Sequence, residues 1–158
     1  MEVKIRPAQK KDGAKIVEML CDIGRLHEEG RPDIYRSNLC KYGIPEYEAI
    51  LADESTPILA AVNEADEVVG YAFLQFKEIK DHPAFVDRKY IYVDDFCVDP
   101  SIRRAGIGRV LMNGVFDYAR SLGINKVELN VWEFNESAVR FYESCKMTTQ
   151  KRQMEIDL

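Results

Sequence analysis

The sequence predicts an α/β protein, one domain with helices packed on a mixed sheet. Three observations carry that expectation. The second half of the chain reads strand–helix–strand–helix–strand, the alternation that layers helices on a sheet. The first half is richer in strands, with two apolar runs joined by the turn Asn63-Glu64-Ala65-Asp66. The 158 residues, 46% hydrophobic and 31% charged, suffice for one core and leave little room for a second, so the domain is expected to span 1–158.

Each element has a local reason. Val3-Lys4-Ile5-Arg6 alternates and stops at Pro7, a short first strand. Asp12 is placed to cap a helix carrying Ile16, Met19, Leu20 and Ile23 at helical spacing. Residues 27–45 are broken by Gly30, Pro32, Gly43 and Pro45 and read as a loop with a short helical piece; a short helix follows over Glu46 to Leu51. Pro57 to Val62 and Val68 to Phe76 form a pair of strands, with a bulge allowed at Gly70. After a polar loop over 77–89, Lys89 to Val98 is a strand that Asp99-Pro100 ends. Ile107, Leu111, Val115, Tyr118 and Leu122 then stripe one helical face, and Gly123 supplies its stop. Lys126 to Trp132 alternates as a strand, Asn135 caps a helix running to about Ser144, and Met154, Ile156 and Leu158 alternate in an expected closing strand.

Composition narrows the function. A formal net charge of -5 argues against a general nucleic-acid binder and mildly favours cationic small molecules, which an acidic surface steers inward. Cys21, Cys40, Cys97 and Cys145 show no C-x-x-C spacing, and His27 and His82 complete no metal cluster. Four reduced thiols and no metal are therefore expected. The start MEVKIRPAQKKDG has no apolar signal core, and no run approaches the roughly 20 apolar residues of a membrane span. The expectation is a cytoplasmic protein with no membrane partner.

The stretch from Tyr90 to Leu122 organises the rest: a strand, a turn rich in arginine and glycine, then a helix. A helix start offers unpaired backbone N–H groups and the positive end of its dipole, and so holds anions. In Arg103-Arg104-Ala105-Gly106-Ile107-Gly108, followed by Arg109, the glycines let backbone approach the ligand and the arginines add forked donors. The pattern implies a phosphate-bearing ligand. It does not fit G-x-x-x-x-G-K-[ST], and Leu111 stands where a dinucleotide fingerprint needs its third glycine. R-x-x-G-x-G after a strand ending in V-D-P remains.

That pattern, followed by Asn135-x-x-Ala138-x-x-Phe141-Tyr142, resembles the GNAT superfamily of acetyl-CoA-dependent N-acetyltransferases. IRPAQKKDGAKI is similar to the family's opening strand and helix, and NVWEFNESAVRFYESCKM to its last strand–helix unit, so the resemblance covers nearly the whole chain. It implies a mixed, mostly antiparallel central sheet flanked by helices, with splayed strands forming an acetyl-CoA cleft. It also implies acetyl-CoA as co-substrate, with its pyrophosphate on Arg103, Arg104, Ala105, Gly106, Ile107 and Gly108, and Arg109 nearby. Phe96, Cys97 and Val98 would pair with the pantetheine arm as if it were an added strand. Asn135, with Ala138 in the same motif, would contact the cofactor.

Acetyl transfer to an amine needs a neutral amine, a polarised thioester carbonyl and a proton for the leaving thiolate. Tyr142 is the candidate acid: it lies seven positions after Asn135, on the same helical face and roughly 10 Å along the axis. The family's matching tyrosine reaches the cofactor sulfur. Asp94 and Asp95 are candidate bases expected on opposite faces of their strand. Resemblance to polyamine-type relatives implies that Asp94 binds the amine or takes its proton through water; Glu133, just after the last central strand, is a second candidate, and Asp95 is read as a structural hydrogen-bonding residue. Cys97 has no nearby histidine to activate it, so packing rather than covalent catalysis is expected. The amine site is expected from residues 25–45 and the 77–89 loop, with Glu28, Glu29, Asp33 and Tyr35 as candidates to bind the amine, and with Trp132 and Phe134 either lining the pocket or packing in the core or an interface. Lys146 stands where the family commonly has a glycine, so the end of the last helix should be strained or reshaped.

The sequence therefore reads as an N-acetyltransferase moving acetyl from acetyl-CoA to a primary amine of a small molecule by direct transfer in a ternary complex. Acetylation of a protein N-terminus or lysine, and a non-catalytic acyl-CoA-binding module, are the alternatives. The resemblance also allows a homodimer, with the last strand as the contact.

Overall fold

The structure, a computed structural model, describes residues 2–37, 40–102 and 105–158. Its elements are β1 (Lys4–Pro7), α1 (Gly13–Gly30), α2 (Ile44–Leu51), β2 (Ile58–Val62), β3 (Val68–Ile79), β4 (Arg88–Val98), α3 (Ile107–Ser121), β5 (Val127–Leu129) and α4 (Glu136–Ser144). The strands form one sheet in the order β1-β2-β3-β4-β5. Neighbours are antiparallel except β4 and β5, which are parallel because α3 carries the chain back across the sheet between them.

Two apolar clusters cover the two faces. On one, the stripe Ile107, Leu111, Met112, Val115 and Ala119 of α3 packs on Leu59, Ala61, Ala72, Leu74, Ile91 and Val93. On the other, Ile16, Met19 and Leu20 of α1 and Tyr47 of α2 pack on Ile58, Ala60, Tyr71 and Phe73. Burying each large aliphatic side chain contributes about 1.5–3 kcal/mol, so each helix is held mainly by its stripe. Leu122, expected in the α3 stripe, is exposed, because the helix stops at Ser121.

Several expectations change. Asp12 does not cap α1 with its side chain. It is buried, where its carboxylate takes both ends of the Arg6 guanidinium (2.7 and 3.0 Å) and the Gln9 N–H (2.7 Å), tying β1 to the entry of α1. Cys21 and Cys40 are not free thiols: a disulfide joins α1 to the segment after it. Cys97 and Cys145 are buried thiols outside that bond. Residues 147–158 form no strand, and Met154 and Ile156 stand 83% and 81% exposed: the alternation is present, but no neighbouring backbone pairs with it. Lys146 does take the left-handed conformation (φ 69°). There the N–H groups of Lys146 and Met147 close on the carbonyls of Glu143 and Tyr142 (2.9 and 3.1 Å), a helix stop built without glycine.

Candidate functional site

The sheet forks where β4 leaves β5. The two strands pair only over Ile91–Val93 with Val127–Leu129. Beyond that, Phe96, Cys97 and Val98 pair with Ala72, Tyr71 and Gly70 of β3 on one edge, and no strand among the described residues pairs with the other. A bulge starts the fork: Phe73 faces Asp95 and Leu74 faces Val93, so Asp94 is the extra residue. A cavity of about 1060 Å³ opens here, lined on one side by Phe96 to Val98, Gly106 to Arg109, Asn135, Ala138, Phe141 and Tyr142.

The start of α3 closes one end of that cavity. Gly106 precedes it at φ 78°, a conformation that disfavours any side chain. No side chain among the described residues caps the helix, so its first N–H groups are available to an anion. A Cβ on Gly108 would lie 3.2 Å from the Phe141 ring, so this glycine lets α4 dock on the first turn of α3. Arg109 joins the same two helices, donating to the Ser144 carbonyl (3.2 Å) and hydroxyl (2.7 Å). Ala105 is exposed on the approach; Arg103 and Arg104 lie outside the described residues. Asn135 caps α4 by accepting the Ala138 N–H at 3.2 Å.

Two helical turns on, Tyr142 faces the cavity in an aromatic corner, 6.2 Å from the Phe96 ring and 5.3 Å from that of Phe141. Burial, followed by the negative charge of Asp95, pushes its phenol well above the usual tyrosine range. It is therefore protonated at any physiological pH.

The opposite wall comes from distant segments. Ile23, His27, Ile34, Tyr35, Cys40 and Lys41 line it, with Asn130 to Trp132 across from them. Lys41 sets its ammonium between the two aspartates, 3.0 Å from Asp94 Oδ2 and 3.6 Å from Asp95 Oδ2, and donates to the Asp94 carbonyl at 3.0 Å. The expected opposite-facing aspartates thus serve one cation, because the bulge breaks the strand's alternation. Tyr42 Oη donates to Asp94 Oδ2 (2.8 Å) and Tyr71 Oη to Asp95 Oδ1 (2.9 Å). Asp95 is 7% exposed; burial pushes its carboxyl up, with Lys41 and Tyr71 pulling it back down. Trp132 Nε1 donates to Tyr35 Oη at 2.8 Å, and Arg31 lies 5.3 Å over the indole.

His27 is a cavity residue that the sequence did not single out. It stacks on Tyr35 (ring centroids 5.1 Å), and burial lowers its pKa so that the ring is neutral at neutral pH. Its signal was present: Ile16, Leu20, Ile23 and His27 follow one another at helical spacing on the inner stripe of α1. Glu28, Glu29 and Glu133 do not line the cavity; Glu133 is 85% exposed, with Arg152 4.0 Å away. Asp33 is held by Arg31. The 77–89 loop stays away from the cavity too, because much of it extends β3 and β4. Among the described residues no cluster could hold a metal ion.

A mixed sheet flanked by helices and forked beside the start of one of them, with a cavity running past the fork, defines the class: an α/β protein with a cleft between two splayed strands. The chain belongs to the GNAT acetyltransferase family, whose model matches residues 18–147. It is similar to the peptidyl-lysine N-acetyltransferase YjaB of Escherichia coli, 28% identical over 90% of this chain and 80% of that one. It is also similar to the L-ornithine N5-acetyltransferase NATA1 of Arabidopsis thaliana, 31% identical over 51% of this chain. The match spans only 35% of that plant protein. Among solved structures, a tetramutant of the BH1408 protein from Bacillus halodurans superimposes with a TM-score of 0.93 at 31% identity, covering 98% of this chain and 99% of that one. A Trypanosoma brucei acetyltransferase has the same fold at a TM-score of 0.69. No helix among the described residues is long and apolar enough to cross a membrane.

Proposed function

We propose that the chain is an N-acetyltransferase that moves the acetyl group of acetyl-CoA directly to the primary amine of a small cationic molecule. One observation carries this reading. A single cavity joins an anion-binding helix start, a protonated tyrosine and a carboxylate pair that already holds an ammonium group. Gly106 to Gly108, at the start of α3, would take the pyrophosphate, together with Arg103 and Arg104. The open edge of Phe96, Cys97 and Val98 would pair with the pantetheine amides. Bound there, acetyl-CoA supplies an activated acyl carbon.

The remaining work falls to side chains of this chain. Asp94 and Asp95 attract the ammonium form of the acceptor and draw off its proton, directly or through water. His27, neutral in the same wall, is a further acceptor for that proton. Tyr142 donates a hydrogen bond to the developing thiolate. Its raised pKa makes complete transfer to a thiolate uphill, so it stabilises charge rather than acting as a strong acid. The proton lost by the amine balances the thiol formed. Nothing in the cavity wall gives Glu28, Glu29 or Glu133 a part, and Tyr35 shapes the wall through Trp132.

Acetylation of a peptidyl lysine is the second reading. It is favoured by the Escherichia coli relative and by Lys41, a lysine of a polypeptide that fits between the two carboxylates. The test is free-thiol release from acetyl-CoA with a panel of diamines, basic amino acids, amino sugars and lysine peptides. Release with small cationic amines is expected. Release with peptides alone selects the second reading, and tight acetyl-CoA binding without release from any amine overturns both.

A further inference from the structure

We infer that Lys41 is itself an acetylation site, modified by its own chain when no free amine fills the cavity. The inference rests on the acetyltransferase reading above. Its starting point is that Lys41, whose side chain is 39% exposed, reaches from the rim of the cavity to put its ammonium in the place the acceptor would use. Its ammonium is held by Asp94 Oδ2, by the Asp94 carbonyl and, more loosely, by Asp95 Oδ2. The bulge at Asp94 turns these groups toward one point, and Tyr42 Oη fixes Asp94 Oδ2 from the other side. Both carboxylates that would draw the proton from an incoming ammonium already face Nζ of Lys41.

The backbone holds Lys41 in place. Cys40, the residue before it, is bonded to Cys21 of α1. Tyr42, the residue after it, packs on Phe73 of β3 with ring centroids 5.5 Å apart. A nucleophile tethered on both sides has a high effective concentration at its target, and such tethering replaces much of the entropy cost of a bimolecular encounter. Other lysines, such as Lys10, Lys77 and Lys151, are exposed and line no part of the cavity.

The step balances. The Lys41 ammonium loses one proton to the aspartates and then to water. The neutral Nζ attacks the thioester carbonyl carbon, a C–N bond forms, the C–S bond breaks, and the thiolate leaves as a thiol after taking up a proton. The product is an amide without charge. It no longer pairs with Asp94 and Asp95, which would leave one partly exposed and one nearly buried carboxylate short of a cation. Acetylation therefore changes the site from one that a free amine must enter by displacing Lys41 to one that attracts a cation outright.

The test has two arms. In the first, the full chain is incubated with acetyl-CoA and no amine, then digested and mapped by mass spectrometry. Lys41 should gain one acetyl group at least about tenfold faster than Lys10, Lys77 or Lys151, as tethering requires. Excess free coenzyme A should suppress the gain, and its rate per molecule should not depend on protein concentration. Labelling of Lys41 no faster than the exposed lysines, or at a rate that rises with protein concentration, overturns the proposal. If the same preparation releases thiol with free amines, the enzyme reading survives that failure. If it releases none, that reading fails as well.

The second arm needs no acetyl-CoA. Lys41→Gln, whose neutral amide stands in for acetyl-lysine, should bind 1,4-diaminobutane about tenfold more tightly than the parent chain by calorimetry, a gain of about 1.4 kcal/mol. Equal affinity would mean that Lys41 does not occupy the ammonium position and would overturn the proposal. Lys41→Arg keeps the charge but cannot form the same amide, so it should retain the parent's affinity and lose the label.

Discussion

On the cofactor side of the cavity the chain uses regular structure: the open edge of β4, the first turn of α3 and one face of α4. The contacts offered there are largely backbone groups, and the residues that matter are glycines that keep side chains out of the way. On the opposite side it uses side chains from α1, β4 and the segments that follow α1 and β5, brought together across long stretches of sequence. Tyr42 reaches Asp94 across 52 positions and Trp132 reaches Tyr35 across 97. A disulfide joins Cys21 and Cys40 across 19. A backbone-built site suits a ligand that never changes. A wall of side chains on a tethered loop can be re-specified without disturbing the sheet, which accords with relatives named for substrates as different as ornithine and peptidyl lysine.

That contrast can be broken by substitution, and the largest effects should fall on the backbone side. Gly108→Asp adds a Cβ 3.2 Å from the Phe141 ring and a negative charge at the helix start, and should abolish coenzyme A binding. Unchanged affinity by calorimetry would remove the helix start from the site. Tyr142→Phe should lower kcat about 100-fold with cofactor affinity preserved, the lower end of what a positioned hydrogen-bond donor to developing charge contributes. Because burial raises its pKa, Tyr142 should also impose no alkaline limb on kcat below about pH 10, the ordinary tyrosine value. A limb near neutrality that Tyr142→Phe removes would contradict this.

The acceptor side should give smaller and more selective effects. Asp94→Asn should raise KM for cationic amines about tenfold, the worth of one charge-assisted contact, and leave coenzyme A affinity alone. A matching loss of coenzyme A affinity would mean that the two sides are not separable. Cys40→Ser removes a cross-link worth about 3 kcal/mol and should lower Tm while raising amine KM a few-fold. If Tm falls and KM does not, the disulfide serves stability alone. The smallest effect belongs to the helix stop: Lys146→Gly relieves a left-handed lysine and should stabilise the fold by about 1 kcal/mol, read from denaturant midpoints.

The same division decides what the sequence made legible. α3 and α4 were readable because their stripes, the Asn135 cap and the glycine turn are local patterns within a few residues of one another. The cleft edge at Phe96 to Val98 followed from them by resemblance. Of the wall opposite, the stretch 25–45 with Tyr35 and Trp132 was legible, but its contacts were not, because they depend on which distant residues the fold brings together. The bulge at Asp94 has no signature in YIYVDDFCV, and only the register with β3 reveals that Asp94 and Asp95 serve one cation. Nor does a spacing of 19 mark a disulfide. Two strands were over-read for the same reason. Lys126 to Trp132 alternates throughout, but pairing stops at Leu129, where the fork opens. Met154 to Leu158 alternates but pairs with no strand among the described residues. Alternation says which side chains could share a face; pairing requires a neighbour.

The hydrogen bond from Trp132 to Tyr35 has a practical consequence. Trp132 is the only tryptophan in the chain. Its indole sits in the acceptor wall, bonded to the loop that carries Tyr35 and overlaid by Arg31. Excited at wavelengths where tyrosine is silent, the protein's emission therefore comes from a single ring in the wall of the cavity. An amine entering the cavity, or the acetylation proposed for Lys41, would move the neighbours of that ring and give the unlabelled protein an optical gauge of what this wall is holding.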